Sequence, residues 1–118
     1  RPLIIADSAH NEGGLKLVIN ELTTIKKAHL HIVMGFVNDK DLSKVLALFP
    51  TNATYYFAKA NIPRGLEASA LQTVAKEFQL IGKSYTSVNK AFAAARKKAQ
   101  PEDLIFVGGS IFVVAEVL

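Results

Sequence analysis

The chain has 118 residues, which suits one domain, and half of its residues are hydrophobic, enough for a core. It contains no cysteine, which excludes disulfides and thiolate metal sites and fits a cytosolic protein. The net charge of +4 is spread along the chain, and no run approaches the roughly 18–20 apolar residues of a membrane span. We therefore expect no membrane as partner. Aromatic and basic residues are not interleaved, so we do not expect a nucleic acid either.

The first quarter of the chain predicts a strand, a helix and a second strand. Leu3–Asp7 is an apolar run that ends in a carboxylate, which is typical of a short buried strand. A polar loop over 8–14 follows it. Apolar residues at helical spacing then predict a helix over about 14–27, and Leu30–Phe36 predicts the second strand.

The middle of the chain continues the alternation. Asp39 or Asp41 is expected to cap a second helix, which Pro50 ends. Thr54–Ala58 is β-branched and aromatic and therefore predicts a third strand. The segment 59–65 contains proline and glycine and is expected to be a loop.

The last part of the chain predicts a helix with its apolar face from Leu66 through Ala70 to Phe78, and then a short fourth strand at Leu80–Ile81. Ser87 is expected to cap a further helix with Val88, Phe92 and Ala95 on its buried side. The remaining predicted elements are a strand, Leu104–Val107, and a final helix over 111–118.

Strands and helices that alternate at this spacing predict a Rossmann-like, three-layer α/β domain. We expect a mostly parallel sheet of about five to six strands flanked by helices. Ligands of such sheets bind outside the carboxyl ends of the strands. The predicted strand ends place these loops at residues 7–11, 36–39, 58–64 and 108–110.

The first of these loops contains Asp7, His10 and Asn11. Asp7 could accept hydrogen bonds from a sugar, His10 could donate to a phosphate or bind a metal, and Asn11 could shape the turn. The alternative is an Asx-type turn that caps the following helix, which composition alone favours.

The loop after the last predicted strand is Gly108-Gly109-Ser110. Two glycines allow the backbone to approach a ligand closely, and Ser110 begins a helix, where backbone N–H groups favour an anion. A plain serine N-cap after a glycine turn explains the pattern equally well. It is neither a Walker A loop nor a G-x-G-x-x-G motif, so the chain lacks the standard residues for holding a triphosphate alone.

Arg64 follows Pro63 on a turn, where a guanidinium can bind a carboxylate through two hydrogen bonds, although a solvated arginine is the more common case. His29 and His31 are two residues apart and share one face of a strand. Two histidines do not form a zinc site, and we expect them to be surface or half-buried residues.

These segments resemble a known family. Asp7-Ser8-Ala9-His10-Asn11 after an apolar strand is similar to the Asp-x-Ala-His-Asn-Pro signature that opens the C-terminal domain of Mur-type ligases, with Glu12 here in place of the proline. The middle motif Pro63-Arg64-Gly65-Leu66 and the ending Asp103–Ser110, with Glu116 after it, resemble the folylpolyglutamate/dihydrofolate synthase branch in particular.

The resemblance implies an ATP-dependent ligase that adds L-glutamate to dihydropteroate, folates or both through an acyl phosphate. It implies that residues 1–118 form the glutamate-ligase domain, that an upstream ATPase domain holds the P-loop and most of the Mg contacts, and that the chain by itself is inactive. It assigns ATP contact to Asp7, catalysis to His10, and the glutamate carboxylates to Ser110 and Arg64. Asn11, Gly108 and Gly109 are expected to shape the loops, and no metal ligand is expected in this chain.

Two alternatives stay open at this point. One is a stand-alone Rossmann-like module that binds an anion or another small ligand without catalysis. The other is the C-terminal domain of a peptidoglycan-precursor Mur ligase, against which the ending Phe106–Ser110 argues by resemblance.

Overall fold

A computed structural model describes residues 2–38 and 41–118 of the chain, and within them five strands form one sheet in the order β1-β5-β2-β3-β4. Each neighbouring pair of strands in that sheet is parallel. The predicted α/β fold with a mostly parallel sheet is therefore confirmed. The strands are β1 (Leu3–Ala6), β2 (Leu30–Met34), β3 (Ala53–Phe57), β4 (Gly82–Ser84) and β5 (Leu104–Gly108).

Helices connect and flank the strands, and none in the described part of the chain is long and apolar enough to cross a membrane. Side chains of Asp41 and Ser87 cap two of them, as predicted, by accepting hydrogen bonds from Ser43 N and Lys90 N. The other predicted cap, Asp39, lies outside the described residues. The helices are α1 (Glu12–Thr24), α2 (Leu42–Leu46), α3 (Ala68–Lys76), α4 (Val88–Lys98) and α5 (Ile111–Ala115).

The sheet separates two apolar clusters because side chains alternate between the faces of a strand. Helices α1, α2 and α3 contribute to the first cluster, and α4 and α5 to the second. Ile32 of β2 and Phe106 of β5 point into the first cluster, whereas Val33 and Val107 point into the second. A parallel sheet covered on both faces accounts for the continuous apolar runs of β2 and β5 in the sequence.

Two strand predictions are wrong. Residues Leu80–Ile81 are not a strand: Leu80 N donates to Ala75 O and Gln79 N donates to Lys76 O, which is the Schellman pattern at a helix end, with Gln79 at φ 59°. Strand β4 therefore begins at Gly82. The first strand is not buried as predicted, because β1 lies at the sheet edge and leaves Leu3 54% exposed.

Several helix details differ from prediction as well. Helix α1 begins at Glu12 and ends at Thr24, before Lys27, whose Nζ instead donates to two carbonyls at the helix end. Helix α5 ends at Ala115 rather than at residue 118. Ala70 is exposed, and Phe92 is only half-buried beneath the guanidinium of Arg96.

The prediction for His31 is wrong, whereas His29 is half-buried as expected. His31 is 3% exposed, with Nε2 2.9 Å from Asp103 Oδ2 and Nδ1 2.8 Å from the Tyr56 hydroxyl. An ionised carboxylate only accepts hydrogen bonds, so His31 Nε2 donates to Asp103. Burial, with Tyr85 and Asp103 nearby, raises the pKa of Tyr56 to about 12, so its hydroxyl keeps a proton that it donates to Nδ1.

Asp103 makes the stability of the chain depend on pH. Burial raises the pKa of this carboxyl, but hydrogen bonds from Gln100 N and His31 outweigh that effect and leave the pKa below its ordinary value of about 3.9. The unfolded chain then binds more protons than the folded chain in acid. The stabilisation is complete above the ordinary pKa and is lost as the pH falls through the lower, folded-state pKa.

We therefore expect Asp103→Asn to weaken the acid dependence of the free energy of unfolding, measured by urea denaturation between about pH 3 and 7. At neutral pH the variant should be less stable by about 1–3 kcal/mol, because its amide satisfies the buried donors incompletely. Glu21→Gln is the matched control, since it removes an exposed carboxylate from α1 that has no described side-chain hydrogen bond or ion pair. An unchanged acid slope in Asp103→Asn would contradict the assignment.

Candidate functional site

The carboxyl ends of four strands lie side by side at one end of the sheet, in the order β1, β5, β2 and β3. The chain leaves β2 toward α2 on the first face and leaves β5 toward α5 on the second face. The loops after these two neighbouring strands therefore diverge. Open parallel sheets bind their ligands in the crevice that forms at such a point.

The loop after β1 is held by its own side chains. Asp7 Oδ1 accepts from Ala9 N at 2.8 Å, which is an Asx turn, and Asn11 Oδ1 accepts from Gly14 N at 2.8 Å and caps α1. Asp7 is half-buried and its N–H donates to Val107 O. His10 is exposed between these two anchors, so its ring is available to a ligand.

Glu12 occupies the first position of α1, directly after the Asn11 cap. Proline, which the family signature has here, is favoured at this position because its missing N–H has no partner in a helix start. A glutamate is also favourable there, since its negative charge faces the positive end of the helix dipole. The replacement therefore keeps a good start for α1.

The loop after β5 turns sharply at Gly109, whose φ is 99°. A Cβ at Gly109 would lie 2.5 Å from Gly35 O, so both the backbone conformation and the space require glycine. Ser110 follows, is only 2% exposed, and accepts from Phe112 N through Oγ at 3.1 Å. The serine cap is thus present, and the hydroxyl retains its own proton for donation.

Arg64 lies on the turn after β3. Gly65 N donates to Ile62 O at 3.0 Å, and Pro63 precedes Arg64 at the position where a fixed φ favours such a turn. The backbone is tied to the segment after β2, because Asn38 N donates to Arg64 O at 2.6 Å. These bonds fix the backbone from which the exposed Arg64 side chain extends.

A cavity of about 230 Å³ opens between these loops. It brings together four of the predicted site residues, His10, Arg64, Gly109 and Ser110. Asp7 is not among the described residues that line it. The sequence pattern did not single out the apolar part of the lining, whose one signal is that its residues follow strands β2 and β5 along the chain. These residues are Val37, Ile111 and Phe112.

The cavity favours a small anion. Its described lining contains the permanent cation Arg64 and the ring of His10, and it contains no carboxylate. A planar guanidinium pairs with a carboxylate or phosphate through two parallel hydrogen bonds. Among residues 2–38 and 41–118, no group of three His, Asp or Glu side chains could hold a metal ion.

Comparison with known proteins identifies the family. Residues 1–111 match the model of the Mur ligase glutamate ligase domain. The chain belongs to this family. The resemblance read from the Asp7–Asn11, Pro63–Leu66 and Asp103–Ser110 motifs is therefore confirmed.

Two curated relatives of this Mur ligase domain are folate enzymes. The chain is 33% identical to the dihydrofolate synthase/folylpolyglutamate synthase of Escherichia coli, over 99% of this chain and 27% of that protein. It is also 33% identical to a probable bifunctional folylpolyglutamate synthase/dihydropteroate synthase of Haloferax volcanii, over 98% of this chain and 14% of that protein. The chain thus spans about a quarter or less of the length of these relatives.

Solved structures of related Mur ligases have the same fold. The bifunctional folylpolyglutamate synthase/dihydrofolate synthase of Yersinia pestis superimposes with a TM-score of 0.85 at 31% identity, over 98% of this chain and 27% of that one. The E. coli enzyme in complex with DHPP and ADP gives a TM-score of 0.84 at 32% identity, over 97% and 27%. A further folylpolyglutamate synthase/dihydrofolate synthase structure has Mn, AMPPNP and L-glutamate bound and gives a TM-score of 0.86 at 30% identity, over 98% and 28%.

Proposed function

We propose that this chain is the glutamate-binding domain of an ATP-dependent ligase that joins L-glutamate to dihydropteroate, folates or both. The observation that carries the proposal is the cavity in which His10, Arg64 and Ser110 converge at the strand ends of a Mur ligase glutamate ligase domain. L-Glutamate is a small dicarboxylate, and the described lining of the cavity includes a guanidinium, which can bind a carboxylate through two hydrogen bonds.

The proposal includes an upstream ATPase domain in the same protein, which the relatives' greater length supports. The sequence has no Walker A motif, and the described residues have no metal-ligand trio, so Mg and the triphosphate do not fit this chain alone. In such a ligase ATP would transfer its terminal phosphoryl group to a carboxylate of the pterin substrate, which gives an acyl phosphate and ADP. Asp7 is proposed to contact ATP from the side of this domain. The proposed location of the protein is the cytoplasm, which a cysteine-free sequence suits.

Each cavity residue has a separate proposed task. Arg64 holds one carboxylate of L-glutamate, and the Ser110 hydroxyl donates to the other while its Oγ still caps α5. His10, which is exposed beside them, contacts the phosphate or takes a proton from the attacking amine. When the ATPase domain closes over the cavity, it excludes water that would otherwise hydrolyse the acyl phosphate.

The test of the proposed function is phosphate release from ATP by the native full-length protein, with dihydropteroate or a folate and with or without L-glutamate. We expect release to require both the pterin substrate and L-glutamate, and we expect the 118-residue chain alone to release none. Phosphate release that depends on neither substrate would contradict the ligase. Binding of a single anion without turnover would instead favour the stand-alone module.

We expect His10→Ala in the full-length enzyme to lower kcat by about 100-fold or more, the usual range for loss of a group that transfers protons. The fold should be unaffected, because the His10 side chain is exposed. His29→Ala is the control, since His29 precedes β2 at the opposite end of the sheet. Full activity in His10→Ala would remove this residue from the site.

We expect Ser110→Ala to raise the KM for L-glutamate by about 10- to 150-fold, because a hydrogen bond to a charged carboxylate contributes about 1.5–3 kcal/mol. The variant also loses the cap of α5, which costs about 1 kcal/mol of stability. Ser87→Ala removes an equivalent cap from α4 outside the cavity, so it should cost similar stability and leave the KM unchanged. If the two variants have the same KM for L-glutamate, Ser110 caps α5 and does not bind L-glutamate.

A further inference from the structure

Glu116 connects two parts of the candidate site that are distant in sequence. It is the C-cap residue of α5, the helix that Ser110 begins, and its Oε2 accepts a hydrogen bond from Asn61 N at 2.8 Å. Asn61 lies in the loop after β3, three residues before Arg64. One carboxylate therefore joins the helix on one side of the cavity to the loop on the other.

Helix α5 is the fixed partner in this connection. Val113 is fully buried, and a Cβ added to Gly35 would lie 3.0 Å from Val113 Cγ2, so the helix packs directly against the backbone after β2. Gly109 packs against Gly35 O at the start of the helix. Close packing of this kind leaves α5 little freedom to shift against the sheet.

The loop after β3 is held unevenly. Its second half is tied to the segment after β2, through Asn38 N to Arg64 O at 2.6 Å and Leu66 N to Phe36 O at 2.9 Å. Its first half has a local turn, in which Ile62 N donates to Ala60 O, and Ala60 is buried in the second apolar cluster. The Lys59–Glu67 ion pair lies at its base. Glu67 is 67% exposed, so water screens that ion pair and it adds little rigidity.

We propose that Glu116 is a positioning residue that sets the separation between the Arg64 loop and α5, and through it the affinity for L-glutamate. The inference rests on the proposed function, because it assumes that the cavity binds L-glutamate. The hydrogen bond from Asn61 N to Glu116 is exposed, but its charged acceptor makes it stronger than a bond between neutral groups. It thus acts on the half of the loop that the backbone bonds of Arg64 and Leu66 do not reach.

The test compares three variants of the full-length enzyme. Glu116→Ala removes the acceptor, Glu116→Gln keeps an acceptor oxygen, and Glu67→Ala is the matched control that removes a carboxylate tied to the same loop. We expect Glu116→Ala to raise the KM for L-glutamate about tenfold, since small misplacements of binding groups have large effects. Its kcat and its KM for ATP should change less than about twofold, Glu116→Gln should restore most of the affinity, and Glu67→Ala should match the wild type.

A second measurement tests the hydrogen bond between Asn61 and Glu116 in the absence of turnover. Hydrogen exchange of the peptide over 59–65 should be faster in Glu116→Ala than in the wild type and unchanged in Glu67→Ala. Unchanged exchange in Glu116→Ala, or faster exchange with an unchanged KM for L-glutamate in an active enzyme, would overturn the inference. A wild-type enzyme without glutamate-dependent turnover would overturn the proposed function and the inference together, which separates the two failures.

Discussion

Strand β5 lies between β1 and β2 and is parallel to both. The loop after β1 and the loop after β5 therefore lie at the same end of the sheet. Without the direct pairing of β5 with β1, His10 after β1 and Ser110 after β5 would not share a cavity. Each strand that pairs in parallel must also cross back over a face of the sheet, and the helices that do so supply both apolar clusters. The same pairing thus determines the core and the location of the site.

The fold class was predictable because apolar runs and helical periodicity alternate along the chain, and capping residues such as Ser87 mark helix starts directly. The failures arise where a residue acts through its three-dimensional neighbours. Leu80 is apolar and follows a helix, but it closes a Schellman motif instead of starting β4. Leu3 is apolar, but the order of the strands, which the sequence pattern does not specify, leaves it at an edge.

The loops that carry the site could be predicted from the sequence, but which of these loops share a cavity could not. The loops that follow the strands could be named from the sequence, because ligands of parallel sheets bind there. Which of those loops meet depends on strand order and on close backbone packing, as between Gly109 and Gly35. The burial of His31 was missed for the same reason: its partners, Tyr56 and Asp103, are 25 and 72 residues away in the sequence.

The amino ends of the strands carry a buried hydrogen-bond network, whereas the carboxyl ends carry the cavity. At the amino ends, Asp103 and His31 satisfy each other's hydrogen bonds in a buried network that holds β2, β3 and the start of β5 together. At the carboxyl ends, the side chains of His10 and Arg64 are exposed and line the cavity. Since the buried His31–Asp103 network lies away from the cavity, exposed positions of the binding loops can change without loss of that network. The replacement of proline by Glu12 at the start of α1 is a change of that kind, because it alters a loop of the site and preserves the helix behind it.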